Sequence, residues 1–292
     1  MTGWEVVAAR CVAGGAHPLD DRFGVAGDFA WVIDGATDLT NDVLFAEAAG
    51  NASWLAAELD HAFNRFAVSG MTGPELIRRA IARVTLVAAL EGVDEIEDFP
   101  IAVGVVARIS ATAEVELTLI GDCIAAVEES TDTGVELRPV TDPAWPPASE
   151  APAGGRRLAT RPPGPLPVPE SLTGAGGSLA ARAEILRRMV AVRRRYNGGG
   201  GRWVMRREPE VADHAFVSIH ASAPGRRVLL MSDGAERLLH KPGFTFVELF
   251  DRAFDDPDAL IGELRDFEDE QAPDRWHVRH DDVTLLALRL PG

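Results

Sequence analysis

"RVLLMSDGAERLL", Arg227 to Leu239, begins as an apolar, β-prone run, stops at Asp233-Gly234, and turns polar before becoming amphipathic. An apolar run closed by Asp-Gly reads as a strand followed by a turn, because both residues let the chain leave extended geometry cheaply. The same event recurs along the chain. "FAWVIDG" ends in Asp34-Gly35, "VELTLIGDC" ends in Gly121-Asp122, and "HDDVTLLAL" enters its apolar run through Asp281-Asp282. Another acidic pair, Asp20-Asp21, stands in the loop ahead of the second strand. Each one alone is a turn signal; the ordered set puts carboxylates at the ends of several strands.

If those ends lie on one side of neighbouring sheets, the carboxylates converge, and their repulsion is costly without a cation. Oxygen donors with no Cys or His beside them select a hard ion, Mg²⁺ or Mn²⁺, over Zn²⁺. The glycines matter because a bare backbone lets its own carbonyl approach such an ion closely.

The bulk composition agrees with a soluble globular chain: 292 residues, 46% hydrophobic, 25% charged, and a net charge of -16. So acidic a body argues against nucleic acid or an anionic membrane as partner and suits divalent cations. No stretch approaches the ~18 apolar residues of a membrane helix, and "MTGWEVVAARCV" lacks the basic and apolar regions of a signal peptide, which gives an expectation of a cytoplasmic protein. Cys11 and Cys123 sit in or beside apolar runs and read as core thiols.

Along the chain, "WEVVAARCV" reads as a strand, "AGGAHPLDDRFG" as a loop, and "VAGDFAWVIDGATD" as holding a second strand. "VLFAEAAGNASWLAAELDHAFNRF", capped by Asn41 or Asp42, and "GPELIRRAIARVTLVAALE" carry apolar residues at helical spacing. "IAVGVVARIS" and "AEVELTLIGD" make a hairpin, Phe244 to Leu264 is helical, and "DDVTLLALRL" is a final strand. From Thr141 to Gly177 the chain is rich in Pro, Gly and Ala without periodicity, an insertion or flexible loop inside a single domain spanning 1–292. Interleaved strands and helices predict one layered domain with largely antiparallel sheets and helices outside.

The motifs "LDDR", "VIDGATD", "IGDC", "LMSDGAE" and "HDDVT", in this order, resemble those of the PPM-type (type 2C) metal-dependent Ser/Thr protein phosphatases, as in a divergent, bacterial-like member. The resemblance implies an α+β fold, a four-layer α-β-β-α sandwich of two antiparallel sheets flanked by helices. It also implies hydrolysis of phosphoserine or phosphothreonine on proteins by two-metal activation of a bridging water. On that pattern Asp34 bridges both ions, Gly35 offers its carbonyl, Asp233 and Asp281 hold one ion, and Asp21 holds the other through water. Asp122 belongs to a looser third position. Asp34, Asp233 and Asp281 are then the catalytic set, a phosphoprotein the substrate, and a monomer the expected state. No nucleophilic Cys is needed, and nothing around Cys11 or Cys123 resembles the loop of the cysteine phosphatases.

The chain also departs from the family pattern. Ala36 stands where many members carry a His that serves as general acid, the acidic loop offers His17 in place of a phosphate-binding Arg, and Arg237 replaces a ligand expected four residues after Asp233. His214, His220, His277 and His280 are candidate replacement acids, His280 foremost because it precedes Asp281. The basic stretch "RRMVAVRRRYNGGGGR", Arg187 to Arg202, reads as a solvated helix face, or else lends Arg195 or Arg202 to the substrate phosphate. Two functions stand side by side: an active phosphatase, and a pseudophosphatase used as a metal-binding interaction module.

Overall fold

The computed structural model describes residues 3–15, 18–36, 38, 44–45, 48–93, 99–145, 189, 191–198, 202–271 and 279–292. Among the described residues, ten strands form two five-stranded sheets. The first sheet runs β1 (Glu5–Val12), β10 (Val283–Arg289), β9 (Arg227–Met231), β6 (Ile124–Thr131), β7 (Gly134–Val140). The second runs β2 (Arg22–Ala26), β3 (Phe29–Gly35), β4 (Ala102–Ile109), β5 (Val115–Ile120), β8 (Phe216–His220). Every pairing is antiparallel. Helices α1 (Asn51–Phe66) and α2 (Gly73–Leu90) cover the second sheet, while α4 (Phe246–Asp255) and α5 (Pro257–Glu270) cover the first. A single turn, α3 (Asp233–Glu236), follows β9.

This is the four-layer sandwich that the motifs implied, and the side chains show why it closes. Along β3, Phe29, Trp31 and Ile33 face the α1–α2 layer, and Ala30 and Val32 face the other sheet. Along β9, Val228 and Leu230 enter the space between sheets while Leu229 and Met231 meet α4 and α5. A strand covered on both faces must be apolar at every position, so the opening run lacks alternation. Burying each large side chain contributes about 1.5–3 kcal/mol.

Several local expectations change. Arg22–Ala26, of which Arg22–Gly24 read as loop, is strand β2, because it pairs in register with β3 from Arg22↔Ile33 to Ala26↔Phe29. The helix expected from Val43 begins at Asn51; Asn41 and Asp42 lie outside the described residues. Its cap is a distant carboxylate: Asp38 accepts from the backbone N–H of Asn51 (2.7 Å) and Ala52 (3.2 Å). α2 starts with a capping box between Thr72 and Glu75. The helical stretch 244–264 is two helices, since Pro257 cannot continue a helix and Asp256 caps the second one through Ala259 N–H at 3.0 Å. β6, β7 and β8 were not foreseen. Of the Pro-rich stretch 141–177, residues 146 onward lie outside the described residues, and among the described residues no helix is long and apolar enough to cross a membrane.

Candidate functional site

The strand ends meet through the register. Met231 of β9 lies opposite both Leu285 of β10 and Ile124 of β6. Asp233, two residues past Met231, Asp281, two before Val283, and Asp122, two before Ile124, therefore stand at one end of the first sheet. In the second sheet Asp34 of β3 pairs with Val103, and β5 ends at Ile120, paired with Gly104. The link from β5 to β6 is only Gly121-Asp122-Cys123, which ties the two ends together. Gly121 makes this possible with φ of +92°, where a Cβ would lie 2.1 Å from a Val103 methyl.

Two motif strings interlock across β9 and β10. Ser232 N–H donates to the Thr284 carbonyl (3.1 Å), Thr284 N–H donates to Ser232 Oγ (2.9 Å), and the Thr284 hydroxyl donates to Asp21 Oδ2 (2.8 Å). Asp282 gathers the acidic loop, accepting from Gly14 N–H at 2.8 Å and Asp20 N–H at 2.7 Å. Gly234 is required where α3 crosses β10: a Cβ there would fall 2.0 Å from the Asp282 carbonyl oxygen. The turn after β9 is thus glycine for closeness to β10, as well as for ease of leaving the strand.

The expected carboxylates do feel one another. Burial, then the charges of Asp21, Asp233, Asp122 and Asp281, hold Asp34 well above the usual carboxylate range. Asp34 is half-buried, so it still touches solvent. Asp21 is 1% exposed. Burial pushes it up to about 8, with hydrogen bonds from Thr284 and Ser232 opposing and the charges of Asp282 and Asp281 adding. Asp122, Asp233 and Asp281 are half-buried, and Gly35 is buried beside Asp34.

Raised carboxylates make a pH prediction for the ion-free protein. A carboxylate whose folded pKa exceeds its ordinary value of 3.8 stabilises the fold fully below that value and loses the contribution as pH rises through the folded pKa, about 8 for Asp21. Asp34 acts in the same sense. In EDTA the protein should therefore melt at a higher temperature at pH 6 than at pH 8.5. Circular-dichroism melts across that window check it, and a midpoint that climbs toward pH 8.5 would contradict the crowding of these carboxylates.

The donor set suits a hard divalent ion in kind and in charge. Among the described residues, however, no three Asp, Glu, His or Cys side chains enclose a single point. Open positions would then fall to backbone carbonyls and water. One ligand candidate is also engaged: Asp281 Oδ2 accepts a hydrogen bond from the Arg237 guanidinium.

The remaining candidates divide. Arg202 lies over the Trp145 ring, 4.8 Å from its centroid, close enough to Asp122 and Asp142 to feel both charges. Its Nη1 is buried with no hydrogen-bond partner among the described residues. Arg195 is exposed in a turn, and nothing among the described residues joins it to the cluster. His17 and His277 lie outside the described residues. His280 pairs with Asp269 at 2.8 Å, His214 stacks on Trp203, and His220 sits between Ser218 and Glu129, so among the described residues each has its contact away from Asp21, Asp34, Asp122, Asp233 and Asp281. Sequence reasoning passed over Ser232, Thr284 and Asp282 as structural parts of the site, although all three are inside the quoted motifs. Glu268 and Arg265, which complete the Arg237 contact, carry no local signal at all.

No family model and no curated protein matches the chain. Solved structures do. The Mycobacterium tuberculosis serine/threonine phosphatase PstP is 12% identical over 98% of both chains with a TM-score of 0.51. The PPM Ser-Thr phosphatase MsPP from Mycobacterium smegmatis is 14% identical over 97% of both chains, also with a TM-score of 0.51. The photosystem II phosphatase PBCP is 12% identical over 99% of both chains with a TM-score of 0.56. At such identities the likeness establishes the fold: the chain has the architecture of the PPM-type phosphatases, as its motifs implied.

Proposed function

We propose that the protein is a Mg²⁺- or Mn²⁺-dependent phosphatase acting on phosphoserine or phosphothreonine in proteins, with two ions and a third held weakly or not at all. The observation that carries this reading is the convergence of Asp21, Asp34, Asp122, Asp233 and Asp281 in a PPM-type fold. The chain is read as one domain, 1–292, with 141–177 an insertion in it. Asp34, the Gly35 carbonyl, Asp233, Asp281 and Asp21 are the residues that would hold the ions, with Asp122 at a looser third position. When bound, the ions supply charge that activates a water and neutralises phosphoryl oxygens.

The chain's own residues do the rest. The Ser232–Thr284 pair fixes Asp21 relative to the Asp233 and Asp281 turns, and Asp282 anchors the loop that carries Asp20 and Asp21. Arg202, with Nη1 lacking a partner among the described residues and an aromatic ring beneath it, is the residue we assign to the substrate phosphate, to which a guanidinium donates charge-assisted hydrogen bonds. His17 and Arg195 remain secondary candidates for that role. With Ala36 where a general acid would stand, leaving groups that need a proton should react about 10² to 10⁴ times more slowly.

The pseudophosphatase reading is favoured by one observation, the hold of Arg237 on Asp281. Hydrolysis of an aryl phosphate against Mn²⁺ and Mg²⁺ titrations, with EDTA as control, separates the two. Metal-dependent turnover is expected, and Arg202→Ala should raise KM about tenfold or more, the worth of a charge-assisted hydrogen bond. No turnover at any metal concentration would rule out the enzyme, and an unchanged KM would remove Arg202 from the phosphate.

A further inference from the structure

We infer that Arg237 is a built-in counter-ion of the carboxylate cluster, holding Asp281 while no divalent ion is bound and competing with that ion for it. The inference rests on the reading of the cluster as a divalent-ion site. Arg237 follows α3 directly and is 7% exposed. Its Nη1 donates to Glu268 Oε1 at 2.7 Å and to the Arg279 carbonyl at 3.3 Å, and its Nη2 donates to Asp281 Oδ2. Glu268, on α5, is 2% exposed, and its other oxygen accepts from Arg265 Nη1 at 2.7 Å. Arg265 Nη2 in turn donates to the Asp281 backbone carbonyl at 2.8 Å. Two arginines and two carboxylates thus close a net-neutral ring.

The ring explains how the ion-free chain tolerates an acidic residue at Asp281. A charge taken out of water costs several kcal/mol unless it is paired, and Arg237 supplies the pair. A divalent ion that takes Asp281 must displace or share that hydrogen bond. Glu268 makes displacement feasible, because Arg237 keeps a carboxylate partner after releasing Asp281. Without the Glu268 charge, Arg237 would lose a carboxylate partner that competes with Asp281 and would yield Asp281 less readily. Arg265 provides the contrast: it carries the same charge in the same ring but touches only the backbone of Asp281.

Calorimetric titration of the full chain with Mn²⁺, without substrate, tests this. Arg237→Gln should bind Mn²⁺ about tenfold more tightly than wild type, the scale on which outer-shell partners act on metal affinity. Arg265→Gln should move affinity far less, since it removes a charge without freeing the carboxylate. Glu268→Gln should weaken binding about tenfold, the opposite sign, and it decides the matter if Arg237→Gln proves unfolded by circular dichroism. Equal or weaker binding in Arg237→Gln would overturn the inference, because Arg237 would then orient Asp281 and not compete for it; equal gains in both arginine variants would also overturn it, as a bulk charge effect. If neither wild type nor Arg237→Gln binds Mn²⁺, the metal reading of the cluster falls together with this one. Binding gained only in Arg237→Gln would support both.

Discussion

Asp34→Asn should lower Mn²⁺-dependent phosphate ester hydrolysis by roughly 10³-fold while raising the melting temperature of the ion-free protein at pH 8. Both effects come from one charge. Asp34 is the carboxylate that feels Asp21, Asp233, Asp122 and Asp281 together, so it marks the middle of the cluster. Asn keeps its size and leaves β3 paired with β4, but removes the anion that would hold the metal charge. That charge stabilises a phosphoryl transition state by several kcal/mol, and each ~1.4 kcal/mol is tenfold in rate. Without an ion the same anion is a burden, because burial and four like charges oppose it; removing it relieves the folded state. Initial rates at saturating Mn²⁺ and melts in EDTA give the two readouts. A variant that keeps most of its rate would remove Asp34 from the reaction, and a variant that melts lower would mean its role in the fold outweighs the repulsion.

Trp31→Ala should destabilise the protein by about 3–5 kcal/mol, the range for emptying a buried aromatic site. Trp31 lies fully buried between β3 and α1, edge-on to Phe63 with ring centroids 5.6 Å apart, and its Nε1 donates to Asp60 Oδ1 at 2.8 Å. The opposite strand is shaped round it: a Cβ on Gly24 would come within 2.3 Å of the indole, so no side chain stands ready to fill the gap. Urea unfolding of variant and wild type measures the loss. A cost under ~1 kcal/mol would show that the α1 layer collapses into the space. Because β3 also carries Asp34, the same change should loosen the strand that positions that carboxylate.

How far each part could be read in advance depended on range. The opening run announced β9 and its turn, since apolarity and Asp-Gly are properties of neighbouring residues. The order of the aspartate motifs announced the layered fold through a family resemblance, and the register of β9, β10 and β6 then gathered the same residues at one end. β7 and β8 escaped notice because they are edge strands of mixed character; β8 alternates half-buried and exposed positions over only five residues. The true start of α1 escaped because its cap comes from Asp38, 13 residues back along the chain. His280 looked suggestive only by being next to Asp281, yet it sits in a bend ahead of β10 and pairs with Asp269.

The amino-acid sequence by itself determined which residues are available for chemistry: carboxylates at strand ends, glycines beside them, no histidine at position 36, an arginine at position 237. Composition and local periodicity suffice for that, because they concern each residue and its near neighbours. Only the tertiary structure decided what those residues meet. That Ser232 locks to Thr284, that Asp282 anchors the acidic loop, and that Arg237 reaches Asp281 while Glu268 holds it from α5 are contacts between residues 31 to 268 positions apart. Such contacts form when packing apolar faces bring polar groups together, and the requirement to pair every buried charge then selects their partners.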